Sequence, residues 1–348
     1  MRYKRVLAGV AGLGVIVAGC GAASHIRALQ PSSVRSSGKI ALPFVATSAK
    51  SFQAGIDIDW YHYKDQQVTA DAIAARSYLL KLHANAVSIS FPFFMSGARS
   101  SRVHSTVATP TPAELKTAIG VFTAAGFYVS VRPLLDETSL GHTRVSWKPV
   151  NEQAWFASYQ RFLKPYALMA RQAHVNEFII GTELNAFDRS PRWDSLDRQV
   201  RKWYPGVLAC ADSWHKLVSK GCGVGTQTVD AYRPTPDTHF LTDWKRWDRT
   251  LPARIVQTEV GIAAAKGAWR KPSSVKLPVH KVDQQIQVEW FTAACQAAVS
   301  THLGGIYFWS TGLGAPNLHG PSVAHQTRWT GGLGQLAISQ CFASIKTR

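Results

Sequence analysis

The chain has 348 residues, 46% of them hydrophobic, with 39 Lys and Arg against 21 Asp and Glu. That is long for one small domain and ordinary for one barrel of ~250 residues with loops. The formal charge of +18 falls by three, to +15, without Arg2, Lys4 and Arg5. The export signal at the N-terminus argues against nucleic acid as a partner, no helix concentrates the charge, and no RNA- or DNA-binding motif occurs. Anionic envelope polymers or an acidic milieu remain.

The N-terminus reads as an export signal. Arg2, Lys4 and Arg5 precede an uninterrupted run of 13 apolar and glycine residues, 6–18, the size of a signal-peptide core and too short to span a bilayer. The run ends in Val17-Ala18-Gly19-Cys20, which resembles the lipobox of bacterial lipoproteins. Residues 1–19 are then the signal peptide, and Cys20 is the lipidated first residue of the mature protein. The alternative is an ordinary secretory signal with an incidental cysteine. Residues 20–50 are Ala-, Ser- and Gly-containing, with Arg27, Arg35, Lys39 and Lys50 and no acid. They read as the anchor and a flexible basic tether that favours an anionic membrane surface. The expected setting is the cell envelope of an exported protein, and the expected state is a monomer.

Residues 51–348 alternate strand-like and helix-like runs. Phe52–Ile58 is the first strand. A helix follows around Asp71–Leu82, with Ile73, Leu79, Leu80 and Leu82 on its apolar side. Ala86–Phe91 is the second strand, stopped by Pro92. Thr111-Pro112-Ala113-Glu114 opens the next helix, with Thr as cap and Pro in the first position. Phe127–Pro133 is the third strand. A long helix around Glu152–His174 leads to the fourth, Phe178–Leu184. Val207–Ala211 and Val224–Tyr232 are the fifth and sixth, with a short helix between them. Arg254–Glu259 is the seventh. A strong helix around Lys281–Ser300 precedes the eighth, Gly305–Ser310, and a last helix lies around Leu333–Ile345. Eight such units make an α/β chain, a single (β/α)8 TIM barrel over 51–348. A doubly wound open sheet would call for a glycine-rich phosphate loop, and none occurs.

The fourth and seventh strands, FIIGTEL and RIVQTEVG, each end in a glutamate, Glu183 and Glu259. Acids at two strand tips place a carboxylate pair at the barrel mouth. That pair suits glycosidic bond cleavage: one group protonates the leaving oxygen, the other meets the oxocarbenium-like centre. Four motifs in order, IIGTEL, VDAYRP, IVQTEVG and IYFWS, then resemble clan A glycoside hydrolases over roughly residues 52–312. The closest pattern is the family 113 β-mannanase-like group. The resemblance implies Glu183 as acid/base, Glu259 as nucleophile, Tyr232 as the tyrosine hydrogen-bonded to the nucleophile, and Trp309 as the platform under the sugar. Where many clan members place Asn before the acid/base, this chain has Thr182. Thr182 and Asn185 join the substrate-binding candidates.

Other mouth candidates are Asp57, Asp59, Trp60 and Tyr61 after the first strand, Arg132 at the end of the third, and Asp212 and Trp214 after the fifth. Asp57 and Arg132 read either as part of the site or as a structural ion pair. Trp60, Trp147, Trp214 and Trp269 fall in loops, where an indole either stacks on sugar or packs the rim. Besides Cys20 there are four cysteines. In an exported protein they suggest two disulfides, Cys210 with Cys222 and Cys295 with Cys341, or else buried thiols. No zinc spacing and no GxSxG occur, so the chain is expected to need no metal and no other cofactor. The expected function is retaining hydrolysis of a β-linked poly- or oligosaccharide, β-mannan included. A non-catalytic glycan-binding or envelope-scaffold lipoprotein is the alternative.

Overall fold

The computed structural model describes residues 52–346 apart from 142–143, 145–146, 218–221 and 224. The expected signal sequence, Cys20 and the tether over 20–50 lie outside the described residues. Eight parallel strands close on themselves: β1 (Gln53–Asp59), β2 (Ala86–Met95), β3 (Tyr128–Leu135), β4 (Glu177–Thr182), β5 (Val207–Ser213), β6 (Thr226–Asp230), β7 (Val256–Val260) and β8 (Gly305–Thr311). Pairing of β1 with both β2 and β8 completes the ring. Outside it lie α1 (Val68–Lys81), α2 (Pro112–Thr123), α3 (Glu152–Gln172), α4 (Arg192–Trp203), α5 (Phe240–Asp248), α6 (Gln284–Ser300) and α7 (Leu333–Lys346). A two-residue strand, Val103–His104, runs antiparallel to the end of β2. No helix among the described residues is long and apolar enough to cross a membrane.

Strand alternation divides the chemistry. Ile56, Ile58, Val87, Ile89, Phe91, Val129, Val131, Phe178, Ile180 and Phe308 face outward and pack with the helices in one core. The other phase faces the barrel interior and is small or polar: Gly55, Ser88, Ser90, Ser130, Ala209, Ala211 and Thr228. Small residues on some strands leave room for large ones on others. A Cβ on Gly55 would lie 2.2 Å from the Tyr307 ring, so glycine here is the condition for Tyr307 to fill the base of the barrel. Tyr307 Oη donates to Gln53 Oε1 at 2.7 Å. Arg132, near the top, is the largest charged group in this interior.

Several sequence expectations change. Pro92 does not stop β2, which continues to Met95. The β1 pairing ends at Ser90 while β3 pairs on to Phe93. From Phe91 to Phe93 β2 has no ladder partner on the β1 side, where a missing N–H costs no ladder bond. In α1, Leu79 and Leu82 are buried, but Ile73 and Leu80 are 43% and 45% exposed. Ala72, Ala75 and Tyr78 form the buried side with Leu79. Among the described residues no α-helix lies between β5 and β6. The capping box at Thr111 and Glu114 forms as expected. Both disulfides form, Cys210–Cys222 and Cys295–Cys341, with Cα separations of 6.3 and 6.2 Å. The first ties β5 to the following loop and the second ties α6 to α7.

Candidate active site

Two glutamates emerge at the C-terminal mouth. Glu183 directly follows β4, where φ turns to +50°, a value sparsely populated by residues other than glycine. The turn takes the carboxyl off the line of the strand, while its amide still donates to the Ala211 carbonyl at 2.9 Å. Ser213, the last residue of β5, donates its hydroxyl to Glu183 Oε1 at 3.0 Å, and Asn185 Nδ2 donates to Ser213 Oγ at 3.1 Å. Arg144, in the loop after β3, holds a nitrogen 3.5 Å from Glu183 Oε2.

Glu259 reaches the interior through a register slip. The ladder from β6 shifts between Val229 and Asp230, so that Asp230 pairs with Glu259. Successive residues of a regular strand face opposite sides. Here Thr258 Oγ1 donates to Asp230 Oδ1 at 2.9 Å, and Glu259 next to it also points inward. A bulge re-aims side chains in this way. Arg132 Nη2 donates to Glu259 Oε1, and Tyr232 Oη donates to Glu259 Oε2 at 2.8 Å. Each carboxyl oxygen thus has its own donor, and donors to both oxygens favour the charged form. Burial and the surrounding carboxylates push the Tyr232 phenol well up, so it keeps the proton it donates.

Arg132 is fully buried. Besides Glu259 it donates from Nη1 to Asp230 Oδ1 and from Nε to Ser90 Oγ, both at 3.2 Å. Its guanidinium carbon lies 5.4 Å from the centre of the Trp309 ring. Trp309 is half-buried, and its carbonyl accepts from Trp329 Nε1 at 3.0 Å. The guanidinium, Tyr232 and Asp230 all feel the charge of Glu183, so both glutamates belong to one electrostatic cluster.

Of the two readings of Asp57 and Arg132, the direct ion pair is not formed. All three guanidinium nitrogens are engaged by Ser90, Asp230 and Glu259. Asp57 is fully buried with neither oxygen hydrogen-bonded. Burial pushes its carboxyl up to about 8, against the pull of Arg132. Trp60 does not present a face to the mouth. It is 1% exposed, on the outward phase after Asp59, and its indole donates to Gln66 Oε1 at 2.8 Å. Trp147 and Trp269 are also buried, while Trp214 stays half-buried at the end of β5. Thr182 is buried with an unpartnered hydroxyl. Asp212 accepts from Gln227 Nε2 at 2.8 Å. Among the described residues no three of His, Cys, Asp and Glu gather as metal ligands.

Sequence reasoning missed Asp230, Ser213 and Arg144. Asp230 ends β6, so the rule that found the two glutamates could have found it. Ser213 and Arg144 carry no local signal.

A closed parallel barrel with carboxylates on a buried arginine at its C-terminal mouth has its chemistry where (β/α)8 enzymes keep theirs. The family model of Glycoside Hydrolase Family 113 matches residues 58–314, and the chain belongs to that family and is a glycoside hydrolase. No protein with a curated description matches it. It is similar to a family 113 β-mannanase from Alicyclobacillus acidocaldarius solved in complex with ManMIm: 18% identity, 85% of this chain and 98% of that one, TM-score 0.72. A complex of a family 113 β-1,4-mannanase gives 17% identity, 84% and 99% coverage and TM-score 0.72. A Glycoside Hydrolase Family 5 mannosidase from Rhizomucor miehei gives 12% identity, 85% and 94% coverage and TM-score 0.53. At these identities the likeness to the solved structures is one of fold.

The buried acid gives a pH-dependence of stability. Asp57 titrates near 3.8 when free and near 8 in the fold. Between those values the native state holds a proton that the unfolded chain has released. The contribution of Asp57 is therefore complete below pH ~4 and is lost as the pH rises toward 8. Urea unfolding at pH 5 and pH 8 should show wild type losing stability at the higher pH. Asp57→Asn, which keeps a neutral group there, should lose less. Other buried acids such as Asp248 act equally in both proteins, so equal losses would refute the role given to Asp57.

Proposed function

We propose that this glycoside hydrolase cleaves β-linked mannose polymers or oligosaccharides with retention, Glu259 acting as nucleophile and Glu183 as acid/base. The observation that carries the assignment is the different setting of the two carboxyls. Glu259 has a donor on each oxygen, Arg132 and Tyr232. Glu183 takes the Ser213 hydroxyl on Oε1, has Arg144 only at 3.5 Å from Oε2, and is the more exposed of the two, 16% against 4%.

In the first step the Glu259 carboxylate attacks the anomeric carbon as the glycosidic bond breaks, and the Glu183 proton passes to the leaving oxygen. The product is an ester between sugar and Glu259. In the second step the Glu183 carboxylate takes a proton from water, the water oxygen attacks the anomeric carbon, and Glu259 leaves as a carboxylate. Trp309 supplies a flat apolar face beside this centre, suited to the apolar face of a sugar. Similarity to β-mannanases supports mannan as the substrate class.

Glu259→Ala should lower turnover by several orders of magnitude on every substrate. Glu183→Ala should suffer most on substrates with poor leaving groups, while activated aryl β-glycosides still form the glycosyl-enzyme. Azide should then rescue that variant and give a glycosyl azide of retained configuration. The measurement is turnover of aryl β-mannosides of graded leaving-group acidity by both variants, with and without azide. Wild-type rates in both variants would remove the assignment. Glycan binding by a wild type that cleaves nothing would favour the non-catalytic scaffold.

We also propose that the enzyme is an exported lipoprotein, on the strength of residues 6–20. Membrane attachment would come through Cys20, and one acyl chain alone binds only marginally, so more than one is expected. Fatty-acid-analogue labelling in cells should mark wild type and spare Cys20→Ala. Equal absence of label and equal solubility of the two would defeat the proposal.

A further inference from the structure

Beside Trp309 the mouth opens into a cleft of about 610 Å³, within the range of ligand sites. Its wall comes from two loops, residues 261–283 after β7 and 312–332 after β8. The first carries five Lys and Arg and a single acid, Asp283; the second carries Arg328, His319 and His325 and no acid. Asp283 is already used, accepting the Gln285 amide at the start of α6 at 3.1 Å.

The two loops are stitched together. Gln326, fully buried, accepts the Leu277 amide at 2.8 Å and donates to the Leu277 carbonyl at 2.9 Å. The Ala264 amide donates to the Gln326 carbonyl at 2.7 Å. This clamp brings Lys276 on one loop to His325 and Arg328 on the other, and all three line the cleft with Trp309. Among the described residues neither Lys276 nor Arg328 has an ion-pair partner within 4.0 Å. Arg328 is half-buried, where a guanidinium meets a planar anion through paired hydrogen bonds and screening is weaker than at the open surface. Asp59 is the acid of the lining. It lies at the barrel end of the cleft, within reach of the charges of Arg144 and Arg132.

We propose that this cleft binds an anionic substituent of the glycan, a C6 carboxylate or an ester phosphate or sulfate, through Lys276, His325 and Arg328 while Trp309 carries the sugar ring. The proposal rests on the glycosidase assignment and narrows its substrate to acidic β-linked glycans. It also gives the excess of basic residues around the mouth a use that a neutral polymer would not.

The test compares three tetramers of one linkage: β-1,4-mannotetraose, the corresponding β-1,4-mannuronate tetramer, and mannotetraose phosphorylated at C6. Binding is followed by titration calorimetry at low salt with Glu183→Gln, which slows turnover. Hydrolysis is followed with wild type. At least one charged tetramer should bind ten-fold or more tightly than mannotetraose, and which one does so tells carboxylate from phosphate. Added salt and the Lys276→Ala/Arg328→Ala pair should each cut the preference to under three-fold. The proposal is overturned if neither charged tetramer binds better than mannotetraose, or if the preference survives in the double variant. Cleavage of mannotetraose without charge preference would overturn it and leave the glycosidase assignment standing. Charge-selective binding with no cleavage of any tetramer would do the reverse.

Discussion

A guanidinium buried inside the barrel governs the site. Arg132 has left water altogether, and a buried charge is tolerated only when paired and hydrogen-bonded. Its partners are Asp230 and Glu259, with Ser90 on the remaining nitrogen. The carboxylates in turn depend on the arginine. Removing it would leave Asp230 and Glu259 buried without a cation, a loss of about 3–5 kcal/mol for a broken buried pair. Structure and chemistry share this one contact, because the nitrogen that satisfies the fold also fixes the group that would meet the sugar.

The rest of the barrel makes that contact possible. On the interior phase, Ser90 of β2 meets Arg132, and Gly55 of β1 leaves the space that Tyr307 fills. Register slips around β7 turn Glu259 inward beside Thr258, and a left-handed turn lifts Glu183 out of β4. Both departures from regular strand geometry fall at the mouth, where side chains must be aimed and not merely packed. Below them the strands are apolar on the outer face. The Cys210–Cys222 bond secures the strand whose last residue, Ser213, orients Glu183.

Much of this was legible in the sequence, for a definite reason. Parallel strands buried on their outer face read as apolar runs, and a barrel presents its chemistry where those runs stop. Strand ends point to Glu183 and Glu259, and the family resemblance points to Tyr232 and Trp309; the structure puts Tyr232 on Glu259 and Trp309 beside Arg132. The failures are equally specific. Pro92 was read as a stop because whether a proline breaks a ladder depends on where the neighbouring strand ends, which is not local information. Trp60 was counted as a mouth residue because one step along a strand decides between interior and exterior. Helices α4 and α5 were overlooked. α4 buries only Trp193, Leu196 and Val200 among many charges, a stripe too thin to stand out. Ser213 and Arg144 meet Glu183 through the closure of the barrel, and no sequence separation encodes that meeting.

The central claim is that Arg132 and Tyr232 hold Glu259 as the carboxylate that attacks the sugar. An activated 2-deoxy-2-fluoro-β-mannoside tests it most directly, because the fluorine slows the second step and leaves the sugar on the nucleophile. Mass spectrometry of the digested protein should find one added fluoromannosyl group, on the peptide that contains Glu259, and none in Glu259→Gln. A sugar attached to Glu183 or Asp230, or no covalent adduct on a wild type that hydrolyses aryl β-mannosides, would contradict the claim.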